Sequence, residues 1–377
     1  MGFDEENPLN RTACAIIHWF TALPSSRAWY GLPAVPRIAA RRMMRQGPAL
    51  AIRCAPAILC LAAYGTKKRF GTAVVTLDEF KRAVRRHLAL GQVDIAADLL
   101  LALERQAPDH PVAHHFVGKI LLRQGNHLGA MSRLCRALAR DSGNREILED
   151  LLSLSRVIGD QSGIRSYEQA LAALPAAPRA VVFGDSHALH CFGRVDWCER
   201  HWLGPRTMHR VGREGLDGID PRAYYLPQRA DVVMVFGEID ARAHIGRQRD
   251  ERGRDQDEVI GDLVANYIDA VCAIRLLGPA GAYVVCGVVP PGEYEMNPEF
   301  PTYGSLQDRA RITASLNGAL QKAADAVGLL YLDLYTPFVQ EDGTFDPAFT
   351  DDNVHVREDL SPYCGAMLKR LLRRHSP

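Results

Sequence analysis

The sequence predicts an α/β protein in which a three-layer α/β/α sandwich around a parallel sheet follows an all-α region of helical repeats. In the C-terminal half, short runs rich in Val, Ile and Leu alternate with longer helical patterns, as expected for strands covered by helices on both faces. Before that half, three glycines recur at intervals of 34 residues, which indicates repeated helical hairpins. A chain of 377 residues is also too long for one ordinary domain, so several units are expected.

Residues 1–76 are predicted to form a basic helical extension. No Asp or Glu occurs between Arg11 and Arg69, whereas arginines are frequent there. This composition fits a helix lying on an anionic membrane surface, so a peripheral membrane contact through residues 11–70 is one interpretation. A helical extension packed on the rest of the protein explains the pattern equally well. The longest apolar stretch, residues 49–64, contains an arginine and a proline and is too short for a membrane span.

Residues 77–176 are predicted to form three helical hairpins. Gly91, Gly125 and Gly159 each follow one apolar helical pattern and precede another. This arrangement resembles the tetratricopeptide repeat, which has a period of about 34 residues, a glycine at its inner turn, then a small residue and a closing proline. The small-residue position holds alanine in the first two hairpins and Ile164 in the third. The resemblance implies a protein partner bound on the repeats, and the alternative is that the helices only support the domain that follows.

Residues 179–377 are predicted to form the parallel sheet and its covering helices. The strands are the β-branched runs at residues 180–184, 231–237, 282–289 and 329–334. Helical patterns at residues 258–277 and 305–327 flank the last two strands. Ligands of such sheets bind beyond the carboxyl ends of the strands, so the residues after each strand are the candidates for a functional site.

Three residues of these loops have the chemistry of a serine nucleophile with its base. Ser186 follows the first predicted strand and opens a helix, where its hydroxyl is exposed and the helix N-terminus favours negative charge. A nucleophilic serine needs a base, and the base needs an orienting carboxylate. His355 and Asp352 lie in one loop and can supply both groups. The alternative is a helix-capping role for Ser186 and a surface position for His355.

The motifs that contain these residues resemble those of SGNH hydrolases. That family carries GDS after its first strand and D-x-x-H just before its last helix, and both occur here in order, at residues 184–186 and 352–355. The resemblance implies a flavodoxin-like fold, an acyl-serine intermediate and no cofactor. It also implies an oxyanion hole formed by the N–H groups of Ser186 and of a glycine in the second motif, for which Gly212 is preferred to Gly215.

The third motif departs from the family pattern. The family has G-x-N-D, whose Asn donates a hydrogen bond to the oxyanion, whereas this chain has Ile239 at that position. Isoleucine cannot donate, and the loss of one oxyanion donor lowers turnover by about 100- to 1000-fold. Replacement donors that lie close in sequence to the expected site are His187, Arg242 and His244.

Five polar residues near the strand ends are candidates for substrate binding, namely Asp185, His187, Glu238, Asp240 and Arg242. The last three could bind a hydroxylated substrate such as a sugar, or could equally form an ion pair at a strand end. His187 and His190 lie one helical turn apart, but no third ligand follows at a suitable spacing, so no metal is predicted.

Composition narrows the choice of function. The net charge of +1 provides no general attraction to nucleic acid, so no such partner is expected. The nine cysteines are odd in number and scattered without a CxxC pair, which favours a cytoplasmic location. The motifs predict an O-acyl esterase or O-acyltransferase acting on a carbohydrate or lipid ester, with an ester-bearing small molecule or glycan as its partner. The alternative is a non-catalytic adaptor whose helices bind a protein and whose degenerate α/β domain binds a ligand.

Overall fold

A computed structural model describes residues 76–293 and 301–375 of the chain. The chain divides into two compact units between Leu174 and Pro175. The predicted basic extension, with its membrane contact through residues 11–70, lies almost entirely outside the described residues. Within the two described ranges, no helix is both long enough and apolar enough to cross a membrane.

The described part of the first unit consists of six helices, in which each helix packs against the next. Gly91, Gly125 and Gly159 lie in the turns inside the three helix pairs, with φ angles of 73°, 74° and 76°. Glycine adopts these angles without the steric cost of a Cβ atom. The glycine turns predicted from the sequence are therefore present. The helices are α1 (Leu77–Ala89), α2 (Val93–Gln106), α3 (Pro111–Arg123), α4 (His127–Arg140), α5 (Arg145–Ile158) and α6 (Gln161–Ala173).

Caps and small buried residues explain these helix pairs. Thr76 and Glu79 form a capping box at the start of α1, and the Asn126 side chain caps α4. Ala96 and Ala130, at the predicted small-residue positions, are fully buried. A larger side chain there would push neighbouring helices apart, because protein interiors are close-packed.

The second unit is built on a sheet of five parallel strands in the order β2-β1-β3-β4-β5. This is the flavodoxin-like order, which reverses direction between β1 and β3. Ligands of such sheets bind in the crevice beyond the carboxyl ends of the strands at this point. The strands are β1 (Ala180–Gly184), β2 (Cys198–Trp202), β3 (Asp231–Val235), β4 (Tyr283–Cys286) and β5 (Leu330–Leu332).

Helices cover both faces of the sheet and give the predicted three-layer α/β/α sandwich. Alternate residues of β1 point into opposite layers: Val182 packs with α7 and α12, whereas Val181 and Phe183 pack with the helices of the other layer. The helices are α7 (Ser186–Phe192), α8 (Met208–Glu214), α9 (Ile245–Arg252), α10 (Gln256–Leu277), α11 (Leu306–Ala326) and α12 (Ser361–Arg374).

The sequence pattern does not predict β2. This strand reads Cys-Glu-Arg-His-Trp, and only its first residue, Cys198, is buried. It lies at the edge of the sheet, where charged side chains are tolerated and help to prevent pairing with other chains. Because β2 escapes a search for apolar runs, the loop that follows it at the carboxyl edge of the sheet is not predicted either.

Candidate active site

Ser186, His355 and Asp352 form a continuous chain of hydrogen bonds. The Oγ of Ser186 lies 2.7 Å from Nε2 of His355. The Nδ1 of His355 lies 2.6 Å from Oδ2 of Asp352. Because the ionised carboxylate can only accept, Nδ1 carries the proton and Nε2 is left to accept the proton of the serine. The structure thus brings together the three residues predicted as nucleophile, base and orienting carboxylate.

The turn between β1 and α7 presents the serine at the edge of the sheet. Ser186 is the first residue of α7 and is partly exposed. The first N–H groups of a helix have no acceptor within that helix, so the N–H of Ser186 can serve a bound ligand. Asp185 caps the helix, since its Oδ1 accepts the N–H of His187 at 2.9 Å.

The loop that carries the base is closed by its own carboxylate. Asp352 Oδ1 accepts the N–H of Val354 at 2.9 Å and that of His355 at 2.7 Å. Asn353, which lies between Asp352 and Val354, has a φ of 61°, in the left-handed region that Asn enters more readily than most residues. Burial raises the pKa of Asp352, but these donors and the His355 ring lower it to about 2. Asp352 is therefore ionised at neutral pH and holds both the loop and the ring.

The surroundings of His355 keep it unprotonated. Burial lowers its pKa most, and the positive charge of His187 lowers it further, to about 4, against the opposing effect of Asp352. The ring of His190 lies 4.1 Å from that of His355 between centroids, and contact with it restricts rotation of the imidazole. A neutral, oriented imidazole is what a general base requires near pH 7.

Both ring nitrogens of His187 and one carboxylate oxygen of Asp185 have hydrogen-bond partners within the protein. Nδ1 of His187 lies 3.1 Å from Asp185 Oδ1, and its Nε2 lies 3.0 Å from the carbonyl oxygen of Val354. Both side chains are buried. Both ring nitrogens of His187 are engaged in these contacts, which contradicts the substrate-binding and oxyanion-donor roles considered for it. A substrate-binding role for Asp185 stays a prediction, because its Oδ2 has no hydrogen-bond partner among the described residues.

Asp240 connects the segment after β3 to the start of α8. Its carboxylate is fully buried and accepts the N–H groups of Met208 at 2.5 Å and His209 at 3.1 Å. Burial raises the pKa of Asp240 to about 7, although the two N–H donors act in the opposite direction. The predicted contact of Asp240 with substrate is corrected to a role in holding the first turn of α8, because its oxygens already bind these N–H groups.

Gly212 lies inside α8, not at the edge of the crevice. Its N–H falls within the hydrogen-bond ladder of the helix. A Cβ atom at Gly212 would lie 2.9 Å from the carbonyl carbon of Asn266 and 3.0 Å from the nitrogen of Tyr267. The glycine therefore permits close contact between α8 and α10, and this contradicts the oxyanion role predicted for it. Gly215, the other candidate, is the C-terminal cap of α8.

Glu238 and Arg242 line a cleft beside the loop that carries His355. Glu238 Oε1 accepts a hydrogen bond from Arg242 Nε at 2.7 Å, which is the ion pair considered from the sequence. The cleft is also lined by Arg309 and by Asn353 and Val354 of the loop. A substrate-binding role for Glu238 and Arg242 stays a prediction.

Two groups of this cleft, the side chain of Arg309 and the carbonyl oxygen of Val354, are not predicted from the sequence. Arg309 is buried on α11, and its Nη2 donates to the carbonyl of Gly292 at 3.2 Å. It lies at helical spacing from the buried Ile312 and Leu316, so an arginine on an apolar helix face is a signal that a closer search could find. The hydrogen bond between His187 and the carbonyl oxygen of Val354 has no such signal, because the acceptor is a backbone atom that every residue carries.

A group of potential metal ligands lies in the first unit. Among the described residues, His115, Glu146 and Asp150 place one ligand atom each within 4.8 Å of one another. Lys119 Nζ already lies 3.2 Å from Glu146 and 3.0 Å from Asp150, and Arg85 lies 2.5 Å from Glu146. This ion network accounts for the group, so we propose no metal there.

No protein-family model and no curated protein matches the chain, so the tetratricopeptide resemblance stays a prediction. A GDSL-like lipase from Bacteroides thetaiotaomicron is similar in structure over 56% of this chain and 98% of that chain, with 16% identity and a TM-score of 0.38. An aryl esterase from M. smegmatis is similar over 52% of this chain and 99% of that chain, with 16% identity and a TM-score of 0.35. A carbohydrate acetylesterase from Sinorhizobium meliloti is similar over 52% of this chain and 99% of that chain, with 16% identity and a TM-score of 0.33.

Proposed function

We propose that the chain is a serine-dependent O-acyl esterase or O-acyltransferase that acts on a carbohydrate or lipid ester. The observation that carries this proposal is the hydrogen-bonded chain from Ser186 through His355 to Asp352, with distances of 2.7 Å and 2.6 Å. A serine that only caps a helix has no need of an imidazole that is itself held by a carboxylate. This arrangement is the one that activates a hydroxyl for attack on an acyl carbon.

In the first half of the reaction, Ser186 Oγ attacks the ester carbonyl carbon while His355 Nε2 takes the hydroxyl proton. The tetrahedral intermediate collapses, the bond to the alkoxy oxygen breaks, and His355 returns the proton to that oxygen. An acyl-serine and a free alcohol result. Asp352 keeps the imidazole in the required tautomer and stabilises it while it is charged.

In the second half, water or a hydroxyl group attacks the acyl-serine, again with His355 as the base. Water yields a carboxylic acid, and a hydroxyl acceptor yields a new ester. Both outcomes need the same residues, so the choice between esterase and transferase depends on which acceptor the cleft near Glu238 and Arg242 admits.

The N–H of Ser186 supplies one donor to the oxyanion. The loop after β2, residues 203–207, follows the carboxyl end of a parallel strand and so lies at the same edge of the sheet, and we propose it in place of Gly212 as the source of a second donor. Ile239 occupies the position of the family's third donor and cannot replace it. We therefore expect a slower hydrolase than one with three donors.

Replacement of the nucleophile tests the proposal. We expect Ser186→Ala to lower the hydrolysis of p-nitrophenyl acetate by on the order of 10⁴-fold or more, because no other group forms the acyl intermediate. The matched control is Ser361→Ala. Ser361 is the first residue of α12, as Ser186 is of α7, and its Oγ accepts the N–H of Arg194 at 2.9 Å.

The control should lose about 1 kcal/mol of stability through that hydrogen bond and retain its activity. Equal rates for the wild type and Ser186→Ala, with both proteins folded, would contradict a serine mechanism. Steady-state rates and urea unfolding of the two variants provide the measurements.

A further inference from the structure

His187 is held between two hydrogen-bond acceptors. Its Nδ1 lies 3.1 Å from Asp185 Oδ1, and its Nε2 lies 3.0 Å from the carbonyl oxygen of Val354. An ionised carboxylate and a carbonyl can only accept, and a neutral imidazole donates from one nitrogen alone. Both hydrogen bonds therefore require the doubly protonated, positively charged ring.

The burial of Asp185 beside His187 favours the same charge. Asp185 is 2% exposed and His187 is 4% exposed. The second carboxylate oxygen of Asp185, Oδ2, has no hydrogen-bond partner within the described ranges, so His187 is the group that compensates this carboxylate. The pKa of His187 agrees with this picture: burial lowers it, but the Asp185 carboxylate raises it to about 9.

We propose that Asp185 and His187 form a second carboxylate–imidazole pair in the active site, in which His187 is a positioning residue that anchors the catalytic loop through Val354 and places a fixed positive charge beside His355. Val354 directly precedes His355, so this hydrogen bond fixes the backbone from which the base projects. The loop is held from two sides, by Asp352 within it and by His187 from α7. Ser186 lies between the two residues of the pair, so one turn carries both the nucleophile and the anchor of its base.

The charge of His187 acts on the base across a short distance. The two imidazole centroids lie 4.7 Å apart. The other titratable groups that face these rings are the carboxyls of Asp185, Glu238 and Asp352 and the ring of His190. Burial and the charge of His187 lower the pKa of His190, so His190 adds no competing charge at neutral pH.

Two consequences for the reaction follow from this charge. Protonation of His355 is opposed, so the base stays available as the pH falls towards its pKa of about 4. The imidazolium that forms when His355 takes the serine proton is also a stronger acid toward the departing alkoxy oxygen. The effect on rate rests on the proposed function, whereas the protonation state of His187 can be measured without any substrate.

The experiment separates the hydrogen bond from the charge. In His187→Gln, the amide can still donate to the Val354 carbonyl, but the positive charge is absent. Asp185→Asn combined with His187→Gln removes both charges and avoids leaving a buried carboxylate alone. His201→Gln is the matched control. His201 is a partly buried histidine of the same unit, but its ring stacks on Phe183 and not on His355.

Titrations of the full chain with labelled histidine, followed by NMR, give the first readout. We expect His187 to remain doubly protonated between about pH 5 and pH 8, where an ordinary histidine loses its proton. In both variants that lack the His187 charge, the midpoint of His355 should rise by about one unit towards its ordinary value of about 6.5. The control should leave it unchanged.

The pH profile of kcat/KM for ester hydrolysis gives the second readout. Its acid limb should move up by the same amount in His187→Gln and in the double variant, and stay in place in His201→Gln. A His187 that titrates near about pH 6.5 would overturn the inference, as would a His355 midpoint that is equal in all variants. Shifted midpoints in a protein without esterase activity would instead support the inference and contradict the proposed function.

Discussion

Two histidines of the site lie with ring centroids 4.7 Å apart, and their surroundings shift their pKa values in opposite directions. The pKa of His355 is lowered to about 4, whereas that of His187 is raised to about 9. The difference follows from their contacts, since His187 faces the Asp185 carboxylate and the Val354 carbonyl, while His355 Nε2 faces the Ser186 hydroxyl. Between these two pKa values, a neutral base lies beside a charged neighbour, which is the state in which the serine can lose its proton.

Ile239 is the residue at which the chain departs from the SGNH pattern, and its replacement is informative. If the site is a hydrolase that lacks one oxyanion donor, Ile239→Asn should raise the rate on a simple acyl ester by up to about 100-fold. Ile239→Val is the control, because it changes the volume of the side chain without adding a donor. Steady-state rates on p-nitrophenyl acetate check the prediction.

The stability of the Asn variant must be measured in parallel, because Ile239 is partly buried and an unpaired amide costs about 1 to 3 kcal/mol. A folded Ile239→Asn protein with the same rate as Ile239→Val would show that a missing amide donor does not limit this site. That result would favour the adaptor interpretation if the wild type were also inactive.

The three hydrogen-bonded residues of the candidate site could be predicted because each has a local signature. Ser186 stands between a strand and a helix, and Asp352 and His355 share one loop, so their chemistry is visible in a few neighbouring letters. The roles of Asp185 and His187 could not be predicted, because they depend on the Val354 carbonyl, which is 167 residues from His187 in the chain. Polar residues at a strand end resemble substrate ligands until their partners are known.

At the scale of secondary-structure elements, the contact between α8 and α10 sets the position of the loop after β2. We expect Gly212→Ala to destabilise the protein by about 1 to 3 kcal/mol, because its Cβ would meet the backbone of Asn266 and Tyr267 at 2.9 Å and 3.0 Å. Backbone atoms cannot move aside as a flexible side chain can. Urea unfolding of the full chain gives the change in free energy.

Gly261→Ala on α10 is the control for this substitution, since no atom lies within 4 Å of the Cβ position there. Alanine in an open helical position is neutral or stabilising by up to about 1 kcal/mol. Equal stability of the two variants would show that α8 and α10 are not in the close contact described.

The buried strands could be predicted from apolar runs, because a parallel sheet covered on both faces leaves no room for polar side chains. β2 could not, since its edge position relaxes that requirement and its residues are mostly charged. The turn of π-helix at Asp240–His244 also has no apolar signature. Asp240, the first residue of this turn, accepts hydrogen bonds from the N–H groups of Met208 and His209 in α8. The turn is therefore held by residues that are distant in sequence.

At the scale of the whole molecule, the chain combines a helical unit with an α/β unit that carries the candidate site. The helical unit has its own partly buried ion network, formed by Lys119, Glu146 and Asp150. A protein partner on the helices, or a supporting role for them, stays a prediction. The membrane contact of residues 11–70 and a cytoplasmic location likewise remain predictions, as does the nature of the ester.

Reaction of the full chain with a fluorophosphonate probe shows whether Ser186 is an activated nucleophile. Such probes bond covalently to serines whose hydroxyl is deprotonated by a neighbouring base. Mass spectrometry of the digested protein should place a single label on the peptide that contains Ser186. Labelling should disappear after heat denaturation and in His355→Ala. A native, folded chain whose Ser186 stays unmodified would contradict the account.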